Sequence, residues 1–238
     1  MGIMQKQDRA RLIDAVLFNL AFLTLIWALW LYQHETGARL NSWGTHPRTV
    51  RGLIGIITTP FLHGSLDHIW GNTLSFITLS TFLIFFYREI AFKVLLLLHL
   101  ITGIFFWSWA GGGNHIGASG VIYGMASFLF FSGIFRQNPR LLRVALAVAF
   151  LYGSIVWWVL PIDPSISWEG HLAGALTGIA LAYSMRRLGP TRAPYRWEIE
   201  EDENGNDDSN ATPPDDGHVG DGGYFQSNTS DGEPFHWR

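Results

Sequence analysis

A serine and a histidine that open separate apolar stretches could together carry out acyl transfer. Ser119 stands in Ile116-Gly117-Ala118-Ser119-Gly120 and His171 in Glu169-Gly170-His171-Leu172-Ala173-Gly174. Each heads a membrane-length apolar segment, where hydrocarbon makes uncompensated polarity expensive. A serine hydroxyl is a weak nucleophile until a base takes its proton, and a neutral imidazole suits that task at physiological pH. His171 would take the proton from Ser119 and later return it to a leaving amine. No acid is placed as a third member. Asp163 and Glu169 are the carboxylates of the fifth connection; the first is remote in sequence and the second is expected to face water. A two-residue dyad follows, with the imidazole held by packing. Tyr123, one turn after Ser119 on the same helical face, is the ring expected to hold it.

Acyl transfer also needs donors aimed at the developing oxyanion. His68 and Asn72 are four apart and share a helix face. The backbone N–H groups at Ser119, unpaired at a helix start, would add others. Metal binding is the competing reading of His63 and His68. Their spacing of five is not that of a helical His pair, and no His-Glu-x-x-His motif is present. We therefore expect no metal and no cofactor. The absence of cysteine excludes disulfides and thiolate catalysis.

These residues must be positioned by helices that cross hydrocarbon. Six apolar runs, at residues 13 to 33, 66 to 86, 90 to 110, 118 to 135, 141 to 160 and 171 to 185, are long enough or nearly so for a core of about 30 Å. All are read as helices, because open sheet edges cannot face lipid. The first follows Lys6, Arg9 and Arg11, but its apolar stretch is too long for a secretory signal and no small-residue cleavage site follows. It is read as a retained helix. The fold expected is an all-α polytopic membrane protein, with residues 1–12 as a cytoplasmic segment and 13–187 as the membrane domain.

Basic residues set the orientation. Lys6, Arg9, Arg11, Arg88, Lys93, Arg136, Arg140, Arg143, Arg186, Arg187, Arg192 and Arg196 fall on one side, and Arg39, Arg48 and Arg51 on the other. The positive-inside rule then makes both termini cytoplasmic. The openings of helices two, four and six, which contain His68, Ser119 and His171, lie at the outer face. At roughly 1.5 Å per residue the fourth helix spans about 27 Å and the sixth about 22 Å, which sinks Ser119 and His171 several ångströms below the surface. Gly120 and Gly124 on helix four, and Gly170, Gly174 and Gly178 on helix six, would let two backbones approach closely. Packing alone would also account for these glycines.

Residues 51 to about 187 resemble the six-helix core of the rhomboid family of intramembrane serine proteases. The motifs that carry the resemblance are His63-x4-His68-x3-Asn72, Gly117-Ala118-Ser119-Gly120 with Tyr123, and Gly170-His171-x2-Gly174-x3-Gly178. It implies Ser119 as nucleophile and His171 as general base, with His68, Asn72 and the Ser119 N–H in the oxyanion site. It also implies cleavage of transmembrane substrates near the outer end of their helix. The first connection, about 30 residues with Trp43 and Pro47, would lie partly in the outer leaflet; Trp43 itself fits the interfacial preference of aromatic residues.

Membrane-protein substrates and the bilayer are the partners expected, with no nucleic acid, and the address expected is a bacterial cytoplasmic membrane. A catalytically silent rhomboid-like binder is the alternative, although both dyad side chains are present. A transporter would need ionisable groups along a path, and His99, mid-helix, is read instead as bonding a neighbouring helix. The net charge of -3 averages two unlike regions: residues 1–197 hold 15 Lys/Arg against 7 Asp/Glu, and 198–238 hold 1 against 12. The segment 188–238 is read as a cytoplasmic acidic tail with too little apolar surface to fold.

Overall fold

The computed structural model describes residues 6–163 and 166–190, and every described element is helical. The α-helices are α1 (Lys6–Thr36), α2 (Gly55–Thr58), α3 (Leu66–Phe86), α4 (Arg88–Trp109), α5 (Ser119–Phe135), α6 (Pro139–Tyr152) and α7 (Trp168–Ser184). Three α-helices, α1, α3 and α4, have the length and apolar composition to cross a membrane, as does the continuous stretch Pro139–Val159. Helices α5 and α7 are shorter, at 17 residues each. The acidic tail lies outside the described residues.

The apolar runs and the helices differ at informative places. Helix α1 begins at Lys6, well before the apolar run, because its charged first turns have partners: Arg11 pairs with Asp8 at 3.5 Å and with Glu89 at 3.9 Å, and Asp14 accepts from Arg88 at 2.6 Å. The run at 141 to 160 is helical only to Tyr152 and continues as a 3-10 segment, Gly153–Val159. Local chemistry sets other starts. The Ser65 hydroxyl accepts from His68 N–H at 3.2 Å to cap α3, and Asn138 Oδ1 accepts from Arg140 N–H at 2.9 Å ahead of α6, with Pro139 in its first turn.

Two of the seams between helices contrast in how they are made. Between α5 and α7 the contact is backbone to backbone: a methyl group at Gly174 would overlap the Gly120 carbonyl oxygen, and one at Gly178 the Gly124 carbonyl oxygen. The Ser127 hydroxyl bonds across to the Ala175 carbonyl at 2.9 Å. At the C-terminal end of this seam the Arg136 guanidinium, 9 % exposed, donates to Ser132 Oγ (2.7 Å) and to the carbonyls of Met185 (2.7 Å) and Leu188 (2.5 Å). Between α1 and α3 large side chains meet. Phe22 stacks on Phe76 at 3.8 Å, Trp27 Nε1 donates to Thr73 at 3.1 Å, and buried Asn19 donates to Thr81 and accepts from Ser80 at 2.8 Å.

The first connection is folded closely onto the bundle. Thr45 and His115 exchange backbone hydrogen bonds at 2.9 Å, Gly117 N–H donates to the Thr59 carbonyl at 2.9 Å, and Trp107 Nε1 donates to the Thr49 carbonyl at 2.9 Å. Arg48 donates to the carbonyls of Trp109 (3.0 Å) and Ala110 (2.7 Å), which end α4 without helical partners. Trp43 is 55 % exposed. Many large apolar side chains face outward along the helices, among them Leu17, Leu20, Leu96, Leu146 and Phe150. In a chain with these apolar spans, that outward face is lipid-facing and the protein is an integral membrane protein.

Candidate active site

Ser119 is the first residue of α5, and the turn that delivers it needs Gly117, whose φ of +111° is left-handed territory. A side chain at Gly117 would also collide with the α3 residues opposite, its Cβ falling 2.5 Å from His68 Nε2 and 3.4 Å from Asn72 Nδ2. The glycine thus brings two side-chain donors close to the backbone just ahead of the serine. Asn72 is 7 % exposed and its Nδ2 has no protein partner. An unpaired buried amide donor is costly unless something accepts from it, and a carbonyl oxygen in the cavity would.

His171 sits in the first turn of α7 and is held on two sides. Its ring stacks on Tyr123, with centroids 4.1 Å apart and planes within 7°. Its Nδ1 lies 2.8 Å from the Trp158 carbonyl oxygen. A carbonyl can only accept, so Nδ1 carries the proton and Nε2 is left as the basic nitrogen. The Tyr123 hydroxyl donates to the Ile155 carbonyl at 2.8 Å. The 3-10 segment that supplies the Trp158 carbonyl is therefore tied to the same tyrosine that carries the ring. Packing by Tyr123 was expected from the sequence; the Trp158 carbonyl was not.

Ser119, His171, His68 and Asn72 border one cavity of about 870 Å³. No hydrogen bond joins Ser119 to His171 among the described residues; catalytic contacts of this kind commonly tighten only when substrate is bound. A second, smaller cavity of about 60 Å³ lies against Ser119 and is bordered by His99, Thr102 and Ser167. The hydroxyls of Thr102 and Ser167 are buried without protein partners, and the space admits a small number of water molecules. His99, expected to bond a neighbouring helix, makes no hydrogen bond among the described residues; its ring lies 6.3 Å from that of Phe61.

His63 supports the site from behind. It is 1 % exposed, and its ring meets His68 edge to face at 5.0 Å. Burial, with the nearby His68 adding to it, pushes the His63 imidazole down to about 4, so the ring is neutral where the protein works. On the loop before Ser119, burial lowers the His115 imidazole against the upward pull of the Gly111 carbonyl and the Glu169 carboxylate. Among the described residues no three His, Cys, Asp or Glu side chains group as metal ligands.

The glycines divide by role. Gly117 shapes the turn at Ser119, while Gly120, Gly124, Gly174 and Gly178 bring the α5 and α7 backbones together. Those contacts set the separation of Ser119 and His171, one on each helix.

Comparison with known proteins places the chain in a family. An uncharacterised protein of Mycobacterium tuberculosis is 31% identical over 173 residues, covering 69% of this chain and 72% of the relative. A Mycobacterium bovis protein, also uncharacterised, matches to the same extent, and one of Mycobacterium leprae is 28% identical, with 69% and 68% covered. The Rhomboid domain matches residues 50–188, which hold every residue of the site, and the chain belongs to the rhomboid family.

Proposed function

We propose that this protein is an intramembrane serine endopeptidase that hydrolyses peptide bonds in or near the transmembrane segments of other membrane proteins. The observation that carries the reading is the fixed tautomer of His171. Its Nδ1 is bonded to the Trp158 carbonyl and its ring is clamped on Tyr123, so a basic Nε2 is available in the cavity that Ser119 borders. Ser119 Oγ attacks the scissile carbonyl as His171 Nε2 accepts its proton. Negative charge develops on the carbonyl oxygen beside His68, Asn72 Nδ2 and the Ser119 N–H. Collapse of the tetrahedral species breaks the C–N bond, and the His171 imidazolium protonates the amine. Water then attacks the acyl-enzyme with His171 again as base, and the small cavity behind Ser119 is a suitable reservoir for it.

In this reading the chain crosses the membrane six times, with both termini cytoplasmic and the large cavity opening outward in a bacterial cytoplasmic membrane. Helices α5 and α7 are short crossings, which suits segments whose outer ends border a water-filled cavity. A transmembrane peptide bond is shielded by its own helix, so substrates should carry small or helix-weak residues at the cut; a glycine lowers helix stability by about 1 kcal/mol relative to alanine.

The test is incubation of the purified wild-type protein, Ser119→Ala and His171→Ala with a single-pass substrate in liposomes, with cleavage located by mass spectrometry. Cleavage by the wild type alone supports the dyad. Cleavage that survives Ser119→Ala overturns it. Silence of all three across several substrates favours a membrane-protein binder.

A further inference from the structure

Glu169 borders the large cavity, as does Asp163, and no lysine or arginine does among the described residues. Two of the outer-face arginines are engaged elsewhere: Arg48 donates to the carbonyls that end α4, and Arg51 donates to the Ser42 carbonyl at 3.3 Å. Glu169 is steadied in the first turn of α7, where the helix dipole favours a carboxylate, and its Oε1 accepts from Gly111 N–H at 3.3 Å. It forms no ion pair with a lysine or arginine among the described residues, and the titratable group that feels its charge is His115.

A second feature shows what the cavity is built to hold. Asn72, 7 % exposed, has its Nδ2 unpartnered on the same wall, and the natural acceptor for an amide donor there is the carbonyl of a bound peptide. Glu169 lies two residues before His171 on α7, about 3 Å outward along the helix axis. An extended peptide advances about 3.3 Å per residue, so the side chain one residue from the bond under attack reaches the level of Glu169.

We propose that Glu169 makes the protein selective for membrane-protein substrates that carry a lysine or arginine side chain one residue to the outer side of the scissile bond. This rests on the proteolytic reading above. The selection discriminates well because outer flanks of membrane segments are poor in Lys and Arg, so such a residue marks a minority of clients. A cation drawn to a carboxylate on the wall of a water-filled cavity gains a modest, salt-screened attraction, and an anion at the same place meets repulsion.

The test uses full-length protein in neutral-lipid vesicles and three single-pass substrates identical except for Lys, Gln or Glu at that position. For the wild type, kcat/KM should favour Lys over Glu by about tenfold or more, and the preference should shrink as salt is raised. The Lys-to-Glu ratio should fall toward one in Glu169→Gln and invert in Glu169→Lys. Because the ratio is read within one preparation, partial misfolding of a variant cancels. Equal rates for Lys and Glu with wild type, or an unchanged ratio in Glu169→Gln, overturn the proposal. If no substrate is cleaved at all, the proteolytic reading fails, and the same substrates titrated onto Ser119→Ala protein decide the charge selection separately. Tighter binding of Lys that disappears on adding Glu169→Gln supports it, and equal affinities overturn it.

Discussion

The α5–α7 seam and the α1–α3 seam solve the same problem of joining helices in different ways. Across the first, carbonyl oxygens of Gly120 and Gly124 lie against Gly174 and Gly178 with no side chain between. Across the second, phenylalanines stack and Asn19, Ser80 and Thr81 share hydrogen bonds. A seam made of side chains can repack, because rotamers adjust to a lost or altered neighbour. A seam made of backbone has no such slack. Ser119 and His171 stand on the two helices of the rigid seam, which in the proposed proteolytic reading is the place where a small displacement would be most damaging to an attack geometry.

Substitution tests that contrast directly. Gly174→Val should lower kcat/KM by about a hundredfold or more and also lower the melting temperature, since the added atoms displace α7 from α5. An activity close to wild type in the properly folded variant would remove the rigid-seam argument. The next largest effect is expected at the ring clamp. Tyr123→Ala should reduce kcat by about tenfold or more, whereas Tyr123→Phe, which keeps the stack and loses only the bond to Ile155, should cost a few-fold. Equal losses for the two would assign the role to the hydroxyl alone.

On the α1 side, His63 receives bonds at its carbonyl from Gln33 and Asn41 and gives the seam a pH dependence. Its imidazole titrates near 6.5 in the unfolded chain and at about 4 in the fold. Above pH 6.5 both states are neutral there and the contribution to stability is complete. As pH falls from 6.5 toward 4 the unfolded chain binds the extra proton, and stability drops. Thermal unfolding across that window should show the decline, and His63→Gln should flatten it. The smallest effect is expected for Asn19→Ala, which removes side-chain bonds between α1 and α3. It should lower the melting temperature by about 2–4 °C, as a loss near 1 kcal/mol would, while cleavage per folded molecule stays unchanged. A large loss of turnover would mean that the side-chain seam is as critical as the other.

Much of the site was legible because its chemistry is written in side chains at helical spacing. His68 and Asn72 four apart, Ser119 and Tyr123 four apart, and glycines repeating every four residues each specify a shared face, and the folded chain places those faces together. Backbone contributions escaped that kind of reading. The Trp158 carbonyl that fixes the His171 tautomer has no letter of its own; it becomes available because the chain leaves α-helical geometry after Tyr152, at Gly153-Ser154, a break passed over because the apolar run continues beyond it. The early start of α1 was hidden for a related reason. Charged residues look like a flanking segment until their partners, here Arg88 and Glu89 from a distant turn, are known. His99 was assigned a partner helix on its polarity alone, and what lies near its ring is Phe61 and a small cavity.

The Arg136 clamp bears on how a long guest could reach the serine from the side. Its guanidinium fastens α5 to the carbonyls that end α7, and the glycine contacts fasten the same two helices nearer Ser119 and His171. Pinned at both levels, that pair cannot swing apart as a doorway. Whatever gives way to admit a guest helix must be found elsewhere on the rim, and the 3-10 segment Gly153–Val159 is a ready place for it. Because that segment also carries the Trp158 carbonyl, any such yielding would loosen the histidine as it opened the door, so the base would be set firmly only after the guest had settled and the segment had closed again.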